Sequence, residues 1–144
     1  METTAGPGSI VLLTRLARVV YRRSTEELLG IRLKHLMALA YLREHELASQ
    51  QTFSEDMHLD ANNCVLLLNE LETLGFATRQ RDPSDRRRHL LTLTESGRTA
   101  LERAERAQET IEGDVLGALD ADERATLNDL LSRALAGTRT PSAV

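Results

Sequence analysis

The sequence predicts a mainly α-helical fold with one small β-hairpin, and three observations carry that prediction. Apolar residues recur at helical spacing in successive segments, most of them opened by a capping residue or closed by a glycine. Two of those segments are separated by a turn of only three or four residues. The stretch from Phe76 to Thr94 is rich in β-favouring residues, and Asp82-Pro83-Ser84-Asp85 interrupts it with proline at the second turn position.

From the N-terminus, Ser9 reads as the N-cap of a first helix that runs to about Leu29, where Gly30 stops it. Ile10, Leu13, Leu16, Ala17 and Val20 form its stripe. Val11, Leu12 and Val19 lie off that stripe, so this helix is expected to pack against more than one partner. A second helix spans Leu33 to His45, with Leu36, Leu39 or Ala40, and Leu42 on one face. Ser49 caps a short helix to about Met57, with Phe53 and Met57 four apart. His58-Leu59 makes a tight turn, Asp60 caps a helix from Ala61 to about Leu74, and Gly75 ends it. That is the pattern of a helix-turn-helix.

Phe76 to Arg81 is extended, and Arg88 to Thr94 carries Leu91 and Leu93 on one face with Leu90 as an extra apolar residue. The pair makes a hairpin with Arg86, Arg87 and Arg88 at or beside its tip. A hairpin directly after a helix-turn-helix is a wing. A long helix then starts at Thr94 and reaches about Leu119, with Leu101, Ala104, Ile111 and Val115 in line; Glu102, Arg103, Glu105, Arg106 and Glu109 cover its solvated faces. Asp120 and Glu123 have the form of a capping box. They open a last helix through Leu127, Leu130, Leu131, Ala134 and Leu135 to Gly137, and the final TRTPSAV is expected to be loose.

Composition narrows the class. With 144 residues, 41% hydrophobic and 28% charged, the chain reads as one soluble globular domain. Aromatics make up 3% and tryptophan is absent, which argues against a sugar-binding or base-stacking platform. No apolar run approaches the roughly 18 residues of a membrane span. Arg15 and Arg18 interrupt the apolar N-terminal part, which therefore does not read as a signal peptide. The single Cys64 leaves no internal disulfide and fits a reducing cytoplasm. His35, His45, His58 and His89 lack metal-ligand spacing, and no cofactor motif, phosphate loop or nucleophile elbow suggests an enzyme.

The formal charge of −4 conceals a partition. Residues 1–78 hold seven bases and ten acids, and residues 99–144 hold five bases and nine acids. Between them, residues 79–98 hold six arginines and three acids, making this the one positive segment. Three adjacent arginines repel one another, an arrangement that makes sense when an anion meets them. Arginine also has the planar multi-donor fork that suits phosphate and base edges.

The run LETLGFATRQRDPSDRRRHLLTLTESG resembles the wing of the MarR-type (multiple antibiotic resistance regulator) transcriptional regulators. That family shows Leu-Glu-x-x-Gly, an apolar residue, an arginine-containing strand, Asp-x-x-Asp-Arg-Arg, and Leu-Thr-x-x-Gly. The resemblance extends more weakly over about residues 9–136. It implies a winged helix-turn-helix homodimer, with residues 9–29 and 95–136 as dimerisation helices, 33–94 as the DNA-binding core and 137–144 as a loose tail. It also implies that the second motif helix enters the major groove and the wing the adjacent minor groove. Many such proteins release DNA when a small, often aromatic and acidic, molecule binds between the two parts.

The resemblance also implies roles for individual residues. In the wing, Arg87 is expected to enter the minor groove, where a narrow groove concentrates negative potential. Asp85 would orient it, and Arg86 and Arg88 would touch phosphate. On the recognition helix, Asn62, Asn63, Val65 and Leu66 should face base edges; asparagine can pair with adenine and an apolar side chain can meet a thymine methyl. Asn62 and Asn63 have an alternative in local hydrogen bonding at the helix start. This helix holds no Lys or Arg but has Glu70 and Glu72, whereas the family commonly has a basic residue where Leu66 or Glu70 stands here. Ser49, Gln50 and Gln51 are placed to meet phosphate at the first motif helix's N-terminus. Cys64 is either oxidation-prone, through the helix dipole, or a small core hydrophobe. Arg18, Tyr21, Arg22, His35 and Tyr41 are the candidate lining of a ligand pocket, the alternative being ordinary packing and surface. A regulator of transcription is the leading reading; a winged-helix protein-interaction module that has lost DNA specificity is the competing one.

Overall fold

The computed structural model describes residues 6–138. In chain order they form α1 (Ser9–Arg23), α2 (Glu26–Leu29), α3 (Leu33–Glu44), β1 (Ala48–Ser49), α4 (Gln50–Asp56), α5 (Ala61–Thr73), β2 (Ala77–Asp82), β3 (Asp85–Leu93), α6 (Glu95–Val115) and α7 (Ala121–Gly137). The three strands make one antiparallel sheet in the order β1-β3-β2. The fold is therefore mainly helical with a small sheet, as the sequence indicates.

The caps explain where the central helices begin. Ser49, Asp60 and Thr94 accept the backbone N–H of Thr52, Asn63 and Gly97, so α4, α5 and α6 each start on a satisfied donor. The Asp120–Glu123 capping box opens α7 in both directions. Between α4 and α5, His58 takes a left-handed conformation at φ 55°. Gly75 does the same at φ 78° after α5, a conformation with little steric cost only for glycine.

Several boundaries differ from the sequence reading. Ser9 is the first residue of α1 rather than its cap; Gly8 holds that place and offers no side chain. The helix does not continue to Leu29. Ser24 turns its hydroxyl back to the Val20 carbonyl at 2.6 Å, and Thr25 caps a separate short helix, which Gly30 closes. The β3 strand begins at Asp85 rather than Arg88, and β1, a two-residue strand pairing Ala48 with Leu91, was not anticipated. The long helix ends at Val115, short of Leu119. Gly137 is still helical, so it does not belong to a loose tail; residues 139–144 lie outside the described residues.

The core lies between α2, α3, α4, α5, α6 and the sheet. Leu29, Leu39, Leu42, Phe53, Leu68, Leu71, Leu91 and Leu101 are almost fully enclosed. Arg43 clamps α3 to α6 through two bonds to Glu105, at 2.5 and 2.6 Å. This bidentate pair holds the Arg43 guanidinium even more firmly protonated than usual. In contrast, α1 and α7 contain no buried residue, and Ile10, Val11, Leu12, Leu13, Leu130 and Leu135 stand exposed. The expectation that α1 packs on more than one partner is not met within the single chain.

Candidate nucleic-acid interface

The hairpin turns at Pro83-Ser84, where Asp82 Oδ1 accepts both the Ser84 N–H at 2.9 Å and its hydroxyl at 2.7 Å. Those two bonds, with Arg88 nearby, hold the Asp82 carboxyl below the usual range. The turn also sets the pairing of the arginines. β2 and β3 pair regularly up to Arg81 opposite His89, and then Asp82 pairs with Asp85. Regular pairing would have matched Asp82 to Arg88, so Arg86, Arg87 and Arg88 have no opposite residue in β2. An irregular ladder of this kind bends the strand and re-aims its side chains.

Within that stretch Arg87 is 92% exposed, and Asp85 reaches it twice. Asp85 Oδ1 accepts the Arg87 backbone N–H at 3.1 Å and the guanidinium Nε–H at 3.4 Å. The carboxylate therefore fixes the start of the arginine side chain and leaves its far end free. Arg86 is exposed as well, and its carbonyl accepts Arg81 Nη1–H at 2.8 Å across the hairpin. Arg88 lies 3.9 Å from Asp82. The sequence reading placed the arginines at or beside the tip, and beside it is where they are.

Beside the wing, α5 divides cleanly by face. Cys64, Leu67, Leu68 and Leu71 point into the core, whereas Asn62, Val65, Leu66 and Asn69 stand exposed at positions i, i+3, i+4 and i+7. Asn63 is exposed but committed locally: its backbone N–H and side-chain amide both donate to Asp60, at 2.7 and 3.0 Å. Of the two readings for Asn63, helix-start bonding is the one the geometry takes. Burial pushes the Cys64 thiol up, so this cysteine is a core residue and not a dipole-activated one.

The two acids of α5 are drawn aside. Glu70 accepts Lys34 at 2.8 Å and lies 3.3 Å from His35 Nε2 and 3.7 Å from Arg32, all from the start of α3. The Lys34 bond, with the one to His35 beside it, holds the Glu70 carboxyl below its usual range. Glu72 is bound by Arg79 of β2 at 2.6 Å. The face without carboxylates is thus Asn62 to Asn69.

The remaining candidates separate. A cavity of about 460 Å³ lies between α4, α5 and β3; Ser49, Gln50, Gln51, Val65, Arg87 and Arg88 are among its lining residues. Ser49 itself is buried, its hydroxyl used to cap α4 and to donate to Thr52 Oγ1 at 2.9 Å, so it is not available as a phosphate donor. Gln51 is exposed, and Gln50 Oε1 is buried without a hydrogen-bond partner. The five residues read as a pocket are not gathered into one. His35 is buried against Glu70, Tyr41 donates to Asp56 at 2.6 Å and stacks on His45, and Arg18, Tyr21 and Arg22 lie on the exposed surface of α1. Two residues escaped the sequence reading: Asn69, whose signal was its place seven after Asn62, and Arg79, whose contact with it spans two elements.

Comparison with known proteins places this arrangement. The model of the MarR family matches residues 31–89, the segment from the end of α2 into β3. A MarR family transcriptional regulator from Rhodococcus sp. RHA1 superposes with a TM-score of 0.81 at 25% identity, covering 95% of this chain and all of that one. Residues 31–89 carry a MarR-family domain, and the chain shares the fold of MarR-family regulators. It is also similar in structure to the transcriptional repressor CouR bound to a 23-mer DNA duplex. That likeness has a TM-score of 0.75 at 27% identity, over 93% of this chain and 99% of CouR. In sequence, an uncharacterised HTH-type transcriptional regulator of Bacillus subtilis, YdgJ, is 31% identical over 104 residues, 72% of this chain and 63% of YdgJ. The chain spans roughly half to two thirds of the length of the curated relatives it matches. Within the MarR family frame, α4 and α5 are the helix-turn-helix and β2–β3 the wing. No helix among the described residues is long and apolar enough to cross a membrane.

Proposed function

We propose that this chain is a homodimeric, DNA-binding regulator of transcription that acts as a repressor. The observation that carries the reading is the unpaired stretch Arg86–Arg88 of β3, exposed beside the uncharged outer face of α5. An arginine held at its base by Asp85 and free at its end is suited to a narrow minor groove. Arg86 and Arg88 flank it as phosphate contacts, and Gln51 with the free N–H groups opening α4 adds another. Asn62, Val65 and Leu66 face the major groove. The domain roles are then divided: 33–94 reads DNA, while 9–29 and 95–136 hold two protomers together through the apolar surface that α1 and α7 leave bare. Repression is taken over from the likeness to CouR.

A small aromatic acid acting as effector is the outermost part of this reading. Arg18, Tyr21 and Arg22 offer it cations and a ring on α1; His35 and Tyr41 are already engaged by Glu70 and Asp56. The test is selection of duplexes from a randomised library with the purified chain, followed by gel shift. The expected result is a palindromic site with half-site centres about 10 bp apart. Arg87→Ala should weaken binding to it about tenfold or more. Undiminished binding by that variant removes the wing assignment, and recovery of no duplex at all favours the protein-interaction module instead. A complex that no aromatic carboxylic acid dissociates removes the effector.

A further inference from the structure

The outer face of α5 holds one pair of side chains whose chemistry is fixed by a neighbour. Leu66 and Asn69 are three apart, which on a helix makes them neighbours with Cβ atoms about 5–6 Å apart. Leu66 is 54% exposed, and Asn69 is exposed beside it. Asn69 is not free to rotate. Arg79 Nη2 lies 2.6 Å from its side-chain oxygen, while the same guanidinium binds Glu72 through Nε at 2.9 Å. Arginine can only donate, so the amide atom facing it must be the oxygen. The Asn69 NH₂ group is then the end turned away from Arg79.

An apolar group beside an outward donor is a specific pattern. In the major groove thymine presents an acceptor, O4, next to its C5 methyl group. Guanine presents acceptors without a methyl, and the amino groups of adenine and cytosine are donors. A freely rotating asparagine favours adenine, because it can donate to N7 and accept from N6. Here the accepting end is occupied by Arg79. Glu70 and Glu72, the carboxylates able to accept from cytosine, are bound elsewhere. The complementary base is thymine.

We propose that Leu66 and Asn69 together read a thymine, Leu66 its methyl group and Asn69 its O4, with Arg79 as the positioning residue that turns the amide outward. This rests on the DNA-binding reading above and adds to it a base identity, a recognition residue and the residue that sets its orientation. Arg79 also ties β2 to the end of α5, so wing and recognition helix share one anchor.

The test uses native protein first. In the duplex recovered by selection, each thymine is replaced singly by uracil, which removes only the methyl group. At one thymine in each half-site the loss should be about fourfold, the worth of one buried methyl. Leu66→Ala should bind the thymine and uracil duplexes equally. Asn69→Asp keeps the shape and the Arg79 contact but exchanges the donor for an acceptor; its ratio of selected to scrambled duplex binding should drop about tenfold. Arg79→Lys should narrow the preference for thymine over adenine at that same position while leaving the response to Arg87→Ala unchanged. Indifference to uracil at every thymine, or an Asn69→Asp ratio equal to that of native protein, overturns the proposal and leaves the DNA-binding reading intact. Recovery of no duplex overturns both.

Discussion

Glu70 is the residue whose meaning changes most between sequence and structure. Read in the chain it is a negative charge on a helix meant to approach a polyanion; in the fold Lys34, His35 and Arg32 draw it to the start of α3. Its carboxyl is held below the ordinary glutamate value of about 4.3, so its contribution to stability is present above that value and is lost as pH falls through the lowered one. Glu70→Gln should therefore flatten the acid limb of the stability profile below about pH 4, measured by urea unfolding at stepped pH. Identical acid limbs for the two proteins would show that the cluster contributes nothing. The Asp85–Arg87 pair, two residues apart, was legible in the sequence because both ends lie in one motif. The Arg79–Asn69 contact was not, because ten residues and a change of element separate them.

Among the elements, the junction between the wing and α6 is the most tightly specified. A Cβ added at Gly97 would lie 2.1 Å from the Phe76 carbonyl oxygen and 2.8 Å from the Leu93 side chain, and backbone at that distance cannot give way cheaply. Gly97→Ala should cost about 1–3 kcal/mol in chemical denaturation, the range for overpacking, whereas an alanine at Gly113, which meets nothing within 4 Å, serves as the control. Helix starts were legible at Ser49, Asp60, Thr94 and Asp120, where a side chain supplies the cap. They failed at Ser9, because Gly8 caps with backbone alone, and at Ser24, whose back-bond to Val20 interrupts an otherwise continuous apolar pattern. β1 was invisible since two residues hold no periodicity; its pairing with β3, Ala48 opposite Leu91 and Ser49 opposite Leu90, defines it. The ladder irregularity at Arg81/Asp82 depends on the pairing of two strands, which single-strand alternation cannot report.

At the scale of the molecule, the chain has a well-enclosed centre and two sparsely packed helices, α1 and α7. α1 meets the rest mainly through α6, with Arg23 donating to Asp114 at 3.2 Å, and α7 buries none of its residues. Exposed Ile10, Leu12, Leu13, Leu130 and Leu135 are more apolar surface than two solvated helices need. A variant carrying Leu13→Glu and Leu130→Glu should sediment as a monomer while α3–α5 and the sheet keep their amide-exchange protection. Sedimentation of that variant as native protein does would place the contact elsewhere. In the proposed homodimer, folding of α1 and α7 is tied to association, and the melting temperature should climb with protein concentration. Those uncovered leucines have a physiological reach as well. In the proposed homodimer, assembly draws on two copies at once, so the amount of competent regulator in a cell would vary with roughly the square of free chain when chains are scarce. A modest fall in synthesis would thus empty a promoter far more completely than it depletes the polypeptide.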